Sequence, residues 1–327
     1  MKLRIALVAT LLLLAACNDN REVDIEIESG PNPWSHLNFV NEPGDFSFAI
    51  VSDLTGGYRE GVFPNAVRKL NLLQPEFVMS IGDLVEAYGF DAAEIEAQWQ
   101  KFKGMIAPLD APFFFVPGNH DMGNADMNAA WQRHVGRSWY HFTYHDTLFM
   151  VMNTEDERAA MAPEVMQLIG EYERLKSSDP EQAHVVGKKL MQLVDFENDM
   201  PGRFGSEQIA WMQQTLAQNT DVRHTFIFMH QPIWQGIGSP QMALLDEALG
   251  DRDYTIFAGH VHNYKHFSRN GRSLIRLGTT GGSWAKYPDD INSFDHVTLV
   301  TMTGDGPRIA NLLLDGIVDR YGKQPEQ

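Results

Sequence analysis

A chain of 327 residues carries a single cysteine, Cys17. An intramolecular disulfide framework is therefore excluded. Basic residues are scarce as well: 26 Lys and Arg stand against 43 Asp and Glu, a formal net charge of −17. This balance argues against a nucleic-acid backbone or an anionic membrane surface as the main partner. No apolar run after residue 20 is long enough to span a bilayer. Internal repeats and low-complexity tracts are absent from the sequence. What is present is an ordinary globular composition, 43% hydrophobic, in a chain long enough for one large core or two small ones.

The first residues read MKLRIALVATLLLLAAC. Lys2 and Arg4 form a short basic region, and the apolar run Ile5 to Leu14 behind them is too short for a spanning helix. The run Leu14-Ala15-Ala16-Cys17 resembles a bacterial lipoprotein signal, in which cleavage leaves a lipidated cysteine as the new N-terminus. An ordinary secretory signal that contains a cysteine is the alternative. The expected organisation is a signal peptide over 1–16, an acidic tether over 17–40 and a domain over 41–320. The expected location is the bacterial cell envelope, with Cys17 as the only membrane attachment. Asn18 rather than Asp follows that cysteine, which points to the outer membrane or the periplasmic face.

From residue 46 onward, short apolar runs alternate with helical patterns. FSFAIVSD precedes FPNAVRKLNLLQ, and PEFVMSIGD precedes AEIEAQWQKFKGMIAPL, where Ile95, Trp99, Phe102 and Ile106 recur at helical spacing. APFFFVPGNHD follows. Such alternation predicts βαβ units and parallel strands. TLFMVMNTED, RHTFIFMHQP, YTIFAGHVH, SLIRLGTTGG and HVTLVTMTGD come later, and the tighter spacing of the last runs predicts antiparallel hairpins, hence a mixed sheet. Residues 156–200 differ: two charged helical patterns separated by Ser-Ser-Asp-Pro predict an inserted helical hairpin. A further helix, SEQIAWMQQTLAQN, is expected to take Ser206 as its N-cap.

The informative positions are the ends of the runs. They carry Asp53, Gly82-Asp83, Gly118-Asn119-His120-Asp121, His230, and Gly259-His260-Val261-His262. In open α/β sheets ligands bind at the carboxyl edge of parallel strands. Any one of these clusters reads equally well as a turn, a helix cap or a core histidine. Five together, each at a strand end, require five coincidences under that reading. Carboxylate, amide oxygen and imidazole are the donors that Mn, Fe or Zn accept, and a carboxylate is able to bridge two metals about 3.5–4 Å apart.

In this order, D-x-x … G-D … G-N-H-D … H … G-H-x-H, the motifs resemble those of the calcineurin-like metallophosphoesterases, relatives of the purple acid phosphatases. The resemblance covers most of residues 46–285. It implies a four-layer α/β/β/α sandwich of two mixed sheets, two divalent or mixed-valence metals, and cleavage of a phosphomonoester or phosphodiester by a metal-bound hydroxide. It also implies roles. Asp83 would bridge the metals, Asp53 and His262 would complete one site, and Asn119, His230 and His260 the other. His120 would stabilise the transition state or protonate the leaving oxygen, with Asp121 orienting its ring.

One position departs from the family pattern. The first motif is usually D-x-H, and here it is Asp53-Leu54-Thr55. Three arrangements are open. Tyr58, Glu86 or Tyr88 supplies the lost ligand; or the first metal is held by three protein ligands and water; or that metal is lost, leaving a catalytically weak cell-surface binding protein on the same fold. Arg59, in the same loop, is a candidate for contact with a substrate phosphate or a solvated surface residue. His134, His141 and His145 are expected to be structural, with the lining of a substrate cleft as the alternative, and His266 lies near the site in sequence without a motif role.

Overall fold

The computed structural model describes residues 23–26, 29–37, 45–156, 162–193, 202–235, 240–284, 290–314 and 316–319. One sheet has seven strands. They are β1 (Val23–Asp24), β5 (Tyr140–Tyr144), β6 (Thr147–Val151), β7 (His224–Phe228), β8 (Tyr254–Ala258), β9 (Lys265–Arg269) and β10 (Arg272–Arg276), in the order β1-β5-β6-β7-β8-β10-β9. The other has six: β2 (Phe46–Val51), β3 (Val78–Ser80), β4 (Phe113–Phe114), β11 (His296–Thr303), β12 (Gly306–Leu313) and β13 (Gly316–Asp319), in the order β13-β12-β11-β2-β3-β4. The seven-stranded sheet is parallel at its centre, β6-β7-β8-β10, and antiparallel at both flanks, whereas the six-stranded sheet is parallel at one end, β2-β3-β4, and antiparallel over the rest.

The two-residue period of the strands explains why the sheets stack. On β2, Phe46, Phe48 and Ile50 face one way and Ala49 and Val51 the other. The phenylalanines meet Phe149, Phe226 and Phe228 of the second sheet, while Ala49 and Val51 meet helices. The alternation continues across β6 to β8: Phe149, Phe226 and Phe257 point between the sheets, and Leu148, Ile227 and Ile256 point outward. Three apolar layers therefore separate four structural ones, helices, sheet, sheet and helices, as the sequence predicts. Phe48 is fully buried, with its ring centroid 5.2 Å from Phe77, 5.2 Å from Phe149 and 5.0 Å from Phe226. Full burial of such a side chain contributes about 1.5–3 kcal/mol.

Helices α1 (Val62–Leu73), α2 (Ala92–Ile106), α3 (Asn119–Met122) and α4 (Ala125–His134) follow the strands of the six-stranded sheet. Asp91 caps α2 in a capping box with Glu94, and the stripe Ile95, Trp99, Phe102 and Ile106 is buried. Helices α5 (Pro163–Ser178) and α6 (Pro180–Leu193) lie within the expected insertion, and α7 (Ser206–Gln218) and α8 (Pro240–Leu249) flank the seven-stranded sheet. The N-cap of α7 is Gly205 rather than Ser206: the Gly205 N–H donates to Asp156 Oδ2 at 3.0 Å, and the helix begins at Ser206, one residue earlier than expected.

Residues 1–22, where the signal peptide is expected and where Cys17 stands, lie outside the described residues. The segment read as a tether is corrected where it is described. Val23–Asp24 pairs with β5, Trp34 forms a bridge with Phe114 and packs edge-on against Tyr140, and Ser35 N–H donates to Phe113 O. Among the described residues no helix is long and apolar enough to cross a membrane.

Candidate metal centre

All five strand-end clusters meet where the carboxyl edges of the two sheets face each other. Asp53 and Asp83 follow β2 and β3, Asn119 opens α3 behind β4, His230 follows β7, and His260 and His262 follow β8. Asp53, Asp83, Asn119 and His230 are buried, and His260 and His262 partly so. The donor atoms fall into two groups, Asp53 with Asp83 and His262, and Asp83 with His230 and His260, with the atoms of each group within 4.8 Å of one another. Asp83 belongs to both. Asn119 Oδ1 lies 2.9 Å from His230 Nε2 and 2.8 Å from His260 Nδ1, completing a four-residue set.

Four of these residues occupy the left-handed region: Asp53 (φ 47°), Asp83 (φ 55°), His260 (φ 71°) and His262 (φ 60°). Each costs of order 1–3 kcal/mol, and such strain concentrates at functional sites. Close approach adds a second constraint. A Cβ on Gly118 would stand 2.2 Å from Asp83 Oδ1, so only glycine lets that loop pass.

The donors fit divalent metal ions. Main-chain carbonyls take one nitrogen of two rings: His230 Nδ1 is 2.8 Å from Ile81 O, and His262 Nδ1 is 2.6 Å from Ser283 O. An N–H donated there leaves Nε2 of each ring with its lone pair turned inward, as a metal ligand requires. Electrostatics agrees. Burial alone would raise the Asp83 carboxyl, but the imidazoles of His230 and His120 hold it well below the usual carboxylate range. Burial would likewise lower His230, yet Asp83 overrides it and pushes the imidazole up to about 10. Buried carboxylates thus draw positive charge into the centre, and a cation bound there takes the place of the protons.

Other expectations need correction. Tyr58 turns away: its hydroxyl lies 3.8 Å from Met105 Sδ, and Lys101 Nζ stands 4.3 Å from its ring centroid, both on α2. Glu86 is not in either donor group. Its Oε2 accepts the N–H groups of Gly56 (3.0 Å) and Gly57 (3.1 Å), and its Oε1 is 2.9 Å from His120 Nδ1. Tyr88 packs edge-on to the His120 ring at 4.8 Å. Thr55 is buried and donates its hydroxyl to the carbonyls of Asp83 (3.0 Å) and Val85 (3.1 Å). A Cβ on the next residue, Gly56, would stand 2.7 Å from His262 Cε1.

Asp121 braces main chain instead of orienting a ring. Its carboxylate accepts N–H groups from Gly118, Leu84 and Val85. The group beside His120 Nδ1 is Glu86. Arg59 is committed as well: Nη2 pairs with Asp295 Oδ1 at 2.5 Å and donates to Gly282 O at 2.7 Å, and the guanidinium lies 4.3 Å from the Trp284 ring centroid. It ties the Asp53 loop to the loop after β10. His134, His141, His145 and His266 sit against Glu96, Trp211, Phe46 and Ser273 respectively, outside the centre.

The sequence reading passed over the end of β6. Asn153, Thr154 and Glu155 are buried there, and Glu155 Oε1 accepts from Gln231 Nε2 at 2.6 Å, next to His230. The signal was available, since polar residues follow the apolar run TLFMVM. The carbonyls of Ile81 and Ser283 leave no trace in side-chain types.

The sequence profile of the calcineurin-like phosphoesterases matches residues 46–264, and the chain belongs to that family. It is 24% identical over 237 residues to the serine/threonine-protein phosphatase CPPED1 of Danio rerio, an alignment that covers 66% of this chain and 64% of that protein. The match to CPPED1 of Bos taurus is 25% identical and covers 60% and 56%. The chain thus spans less than two thirds of the length of these curated relatives. Among solved structures, a dimetal phosphatase from Danio rerio superposes with a TM-score of 0.60 at 13% identity, covering 85% of this chain and 99% of that one. Purple acid phosphatase PPD1 from yellow lupin, Lupinus luteus, gives 0.56 at 15% identity, covering 85% and 53%. These likenesses establish the fold.

Proposed function

We propose that the protein is a hydrolase of phosphate esters that works with two divalent metal ions. The observation that carries this reading is the pair of donor groups sharing Asp83. When bound, such a metal pair neutralises charge on a phosphoryl group and makes water acidic enough to attack at neutral pH. Asp83, Asn119, His230 and His260 would hold one ion, and Asp53, Asp83 and His262 the other, with water making up the smaller set.

The chain's own contribution beyond binding centres on His120. Burial would lower this imidazole, but the carboxylates of Asp83 and Glu86 push it up to about 9. When protonated, the ring is suited to stabilise negative charge on a phosphoryl oxygen and to give a proton to the departing one. Glu86, brought down to about 2 by His120 and Lys176 against the effect of burial, stays ionised and keeps that charge in place.

The name of the curated relatives makes a phosphoserine peptide the first substrate to try, beside a chromogenic monoester and diester. Protein purified from residue 18 onward and resupplied with Mn, Fe or Zn is expected to hold two metals per chain by mass spectrometry and to release phosphate. Loss of turnover in His120→Ala is expected; equal rates in both proteins would leave the binding-protein alternative standing. We also propose lipid attachment at Cys17 in the bacterial envelope, on the strength of the run Leu14 to Cys17. Retention of the full-length protein in a detergent-soluble membrane fraction, lost in Cys17→Ser, is the expected result.

A further inference from the structure

The carboxylate beside His120 has a partner that the family motifs do not supply. Lys176, on helix α5 of the inserted hairpin, places Nζ 3.9 Å from Glu86 Oε2, the oxygen that also accepts the Gly56 and Gly57 amides. Lys176 is paired in turn with Glu173, three residues back on the same helix. Their side chains are largely enclosed, with 11% of Glu86, 8% of Glu173 and 27% of Lys176 exposed. Burial alone would lower the Lys176 ammonium; Glu86 and Glu173 outweigh it and keep the group charged.

Helix α5 is built against the loop that carries Glu86. Gly170 packs directly on Gly89, where a Cβ on Gly89 would fall 2.1 Å from Gly170 Cα. Arg174 Nη2 donates to Gly89 O at 2.5 Å, and its guanidinium lies 5.3 Å from the Phe90 ring centroid. Val165, Leu168 and Ile169 bury into the same apolar layer as Leu84, Val85 and Tyr88. The backbones of helix and loop are thus in register, and Lys176 is delivered to Glu86 by packing that does not depend on the ion pair.

We propose that Lys176 is a positioning residue: its ammonium holds the Glu86 carboxylate between the His120 ring and the Gly56–Gly57 amides, which makes the inserted hairpin part of the catalytic assembly. Without it, Glu86 and Glu173 are two enclosed carboxylates with no cation between them, and Glu86 moves off His120. The proposal rests on the phosphoesterase reading for its kinetic consequence but not for its geometric one.

The experiment compares wild type, Lys176→Met, Lys176→Arg and Lys189→Met, the last an exposed residue of α6. In metal-free protein the ¹H and ¹⁵N shifts of the His120 imidazole are expected to move in Lys176→Met, to return in Lys176→Arg, and to stay put in Lys189→Met. With metals resupplied, kcat of Lys176→Met is expected to fall roughly 10- to 100-fold, as small misplacements of a catalytic group do. KM and metal content stay within about twofold on the same argument, and Arg restores most of the loss. Unmoved His120 resonances in Lys176→Met overturn the proposal, as does an unchanged kcat in an active enzyme. If wild type turns over no ester, the phosphoesterase reading fails, and the imidazole shifts alone decide whether Lys176 positions Glu86. Should Lys176→Met not fold, Lys176→Met/Glu173→Gln preserves the net charge of the pair and is read the same way.

Discussion

Asp53 Oδ1 accepts the main-chain N–H of His260 at 2.9 Å, and this bond joins the carboxyl edges of two different sheets. Asp53 therefore has a structural task beside the metal-binding one proposed for it, and substitution is able to separate them. Asp53→Asn keeps an acceptor oxygen and removes the charge. The expected outcome is a stability change below about 1 kcal/mol if Oδ1 is kept, with metal content falling from two ions per chain to one. His262→Ala should lose the same ion, and His230→Ala the other. Mass spectrometry of dialysed protein checks each. A graded series of chelator concentrations should strip the Asp53–Asp83–His262 group first, because it has three protein ligands and the other set has four.

Gly118 tests the tightness of the centre. The nearest atom to an added Cβ is Asp83 Oδ1, at 2.2 Å, and Asp83 is held by the His120 N–H at 2.9 Å and faces His230 at 3.2 Å. The Asp83 carboxylate, common to both donor groups, has no room to retreat. Gly118→Ala is expected to destabilise the fold by about 1–3 kcal/mol, as overpacking does, and to lower the affinity for both metals at once. Urea unfolding and metal titration read the two effects separately.

Phe48 separates fold from site. Replacing it with alanine empties the layer between the sheets among Phe77, Phe149 and Phe226. The expected loss is about 3–5 kcal/mol, with the metal stoichiometry of the folded fraction unchanged. A midpoint shift in denaturant without a change in metals per chain is the measurement.

His224 sets part of the acid stability. The residue is 6% exposed, its Nε2 lies 3.1 Å from Thr255 Oγ1, and burial lowers its imidazole to about 4. In the unfolded chain the same group titrates near about 6.5. Between those values the unfolded state binds the extra proton, so stability falls as pH drops from about 6.5 to about 4, by roughly 3 kcal/mol from this residue. His224→Gln should unfold with a shallower pH dependence in that window, and parallel curves for the two proteins would contradict the assignment.

Much of the centre was legible because its signals are local. An apolar run followed at once by Asp, Asn or His marks a strand and its end, and the alternating faces of Phe46 to Val51 or Phe226 to Met229 state which layers those strands separate. Hence the parallel strands, the helical insertion and the strand-end residues could be named without coordinates, while the sandwich and the set of six donors came from the family resemblance. Side-chain direction in the loops was not local. Arg59 is held by groups 223 and 236 positions away, and Tyr58 by residues of α2. Nothing near Asp-Leu-Thr-Gly-Gly announces that Glu86 will bind its amides.

The sequence by itself therefore determined which residues stand at the carboxyl edge, since strand periodicity and strand ends are properties of adjacent residues. Only the tertiary structure decided what each does there: that Glu86 rather than Asp121 faces His120, that Tyr58 and Arg59 turn elsewhere, and that a lysine from the inserted hairpin reaches the same carboxylate. Those outcomes depend on which loops the packed sheets bring within 4 Å of each other, and a buried charge takes the counter-charge that the fold places beside it.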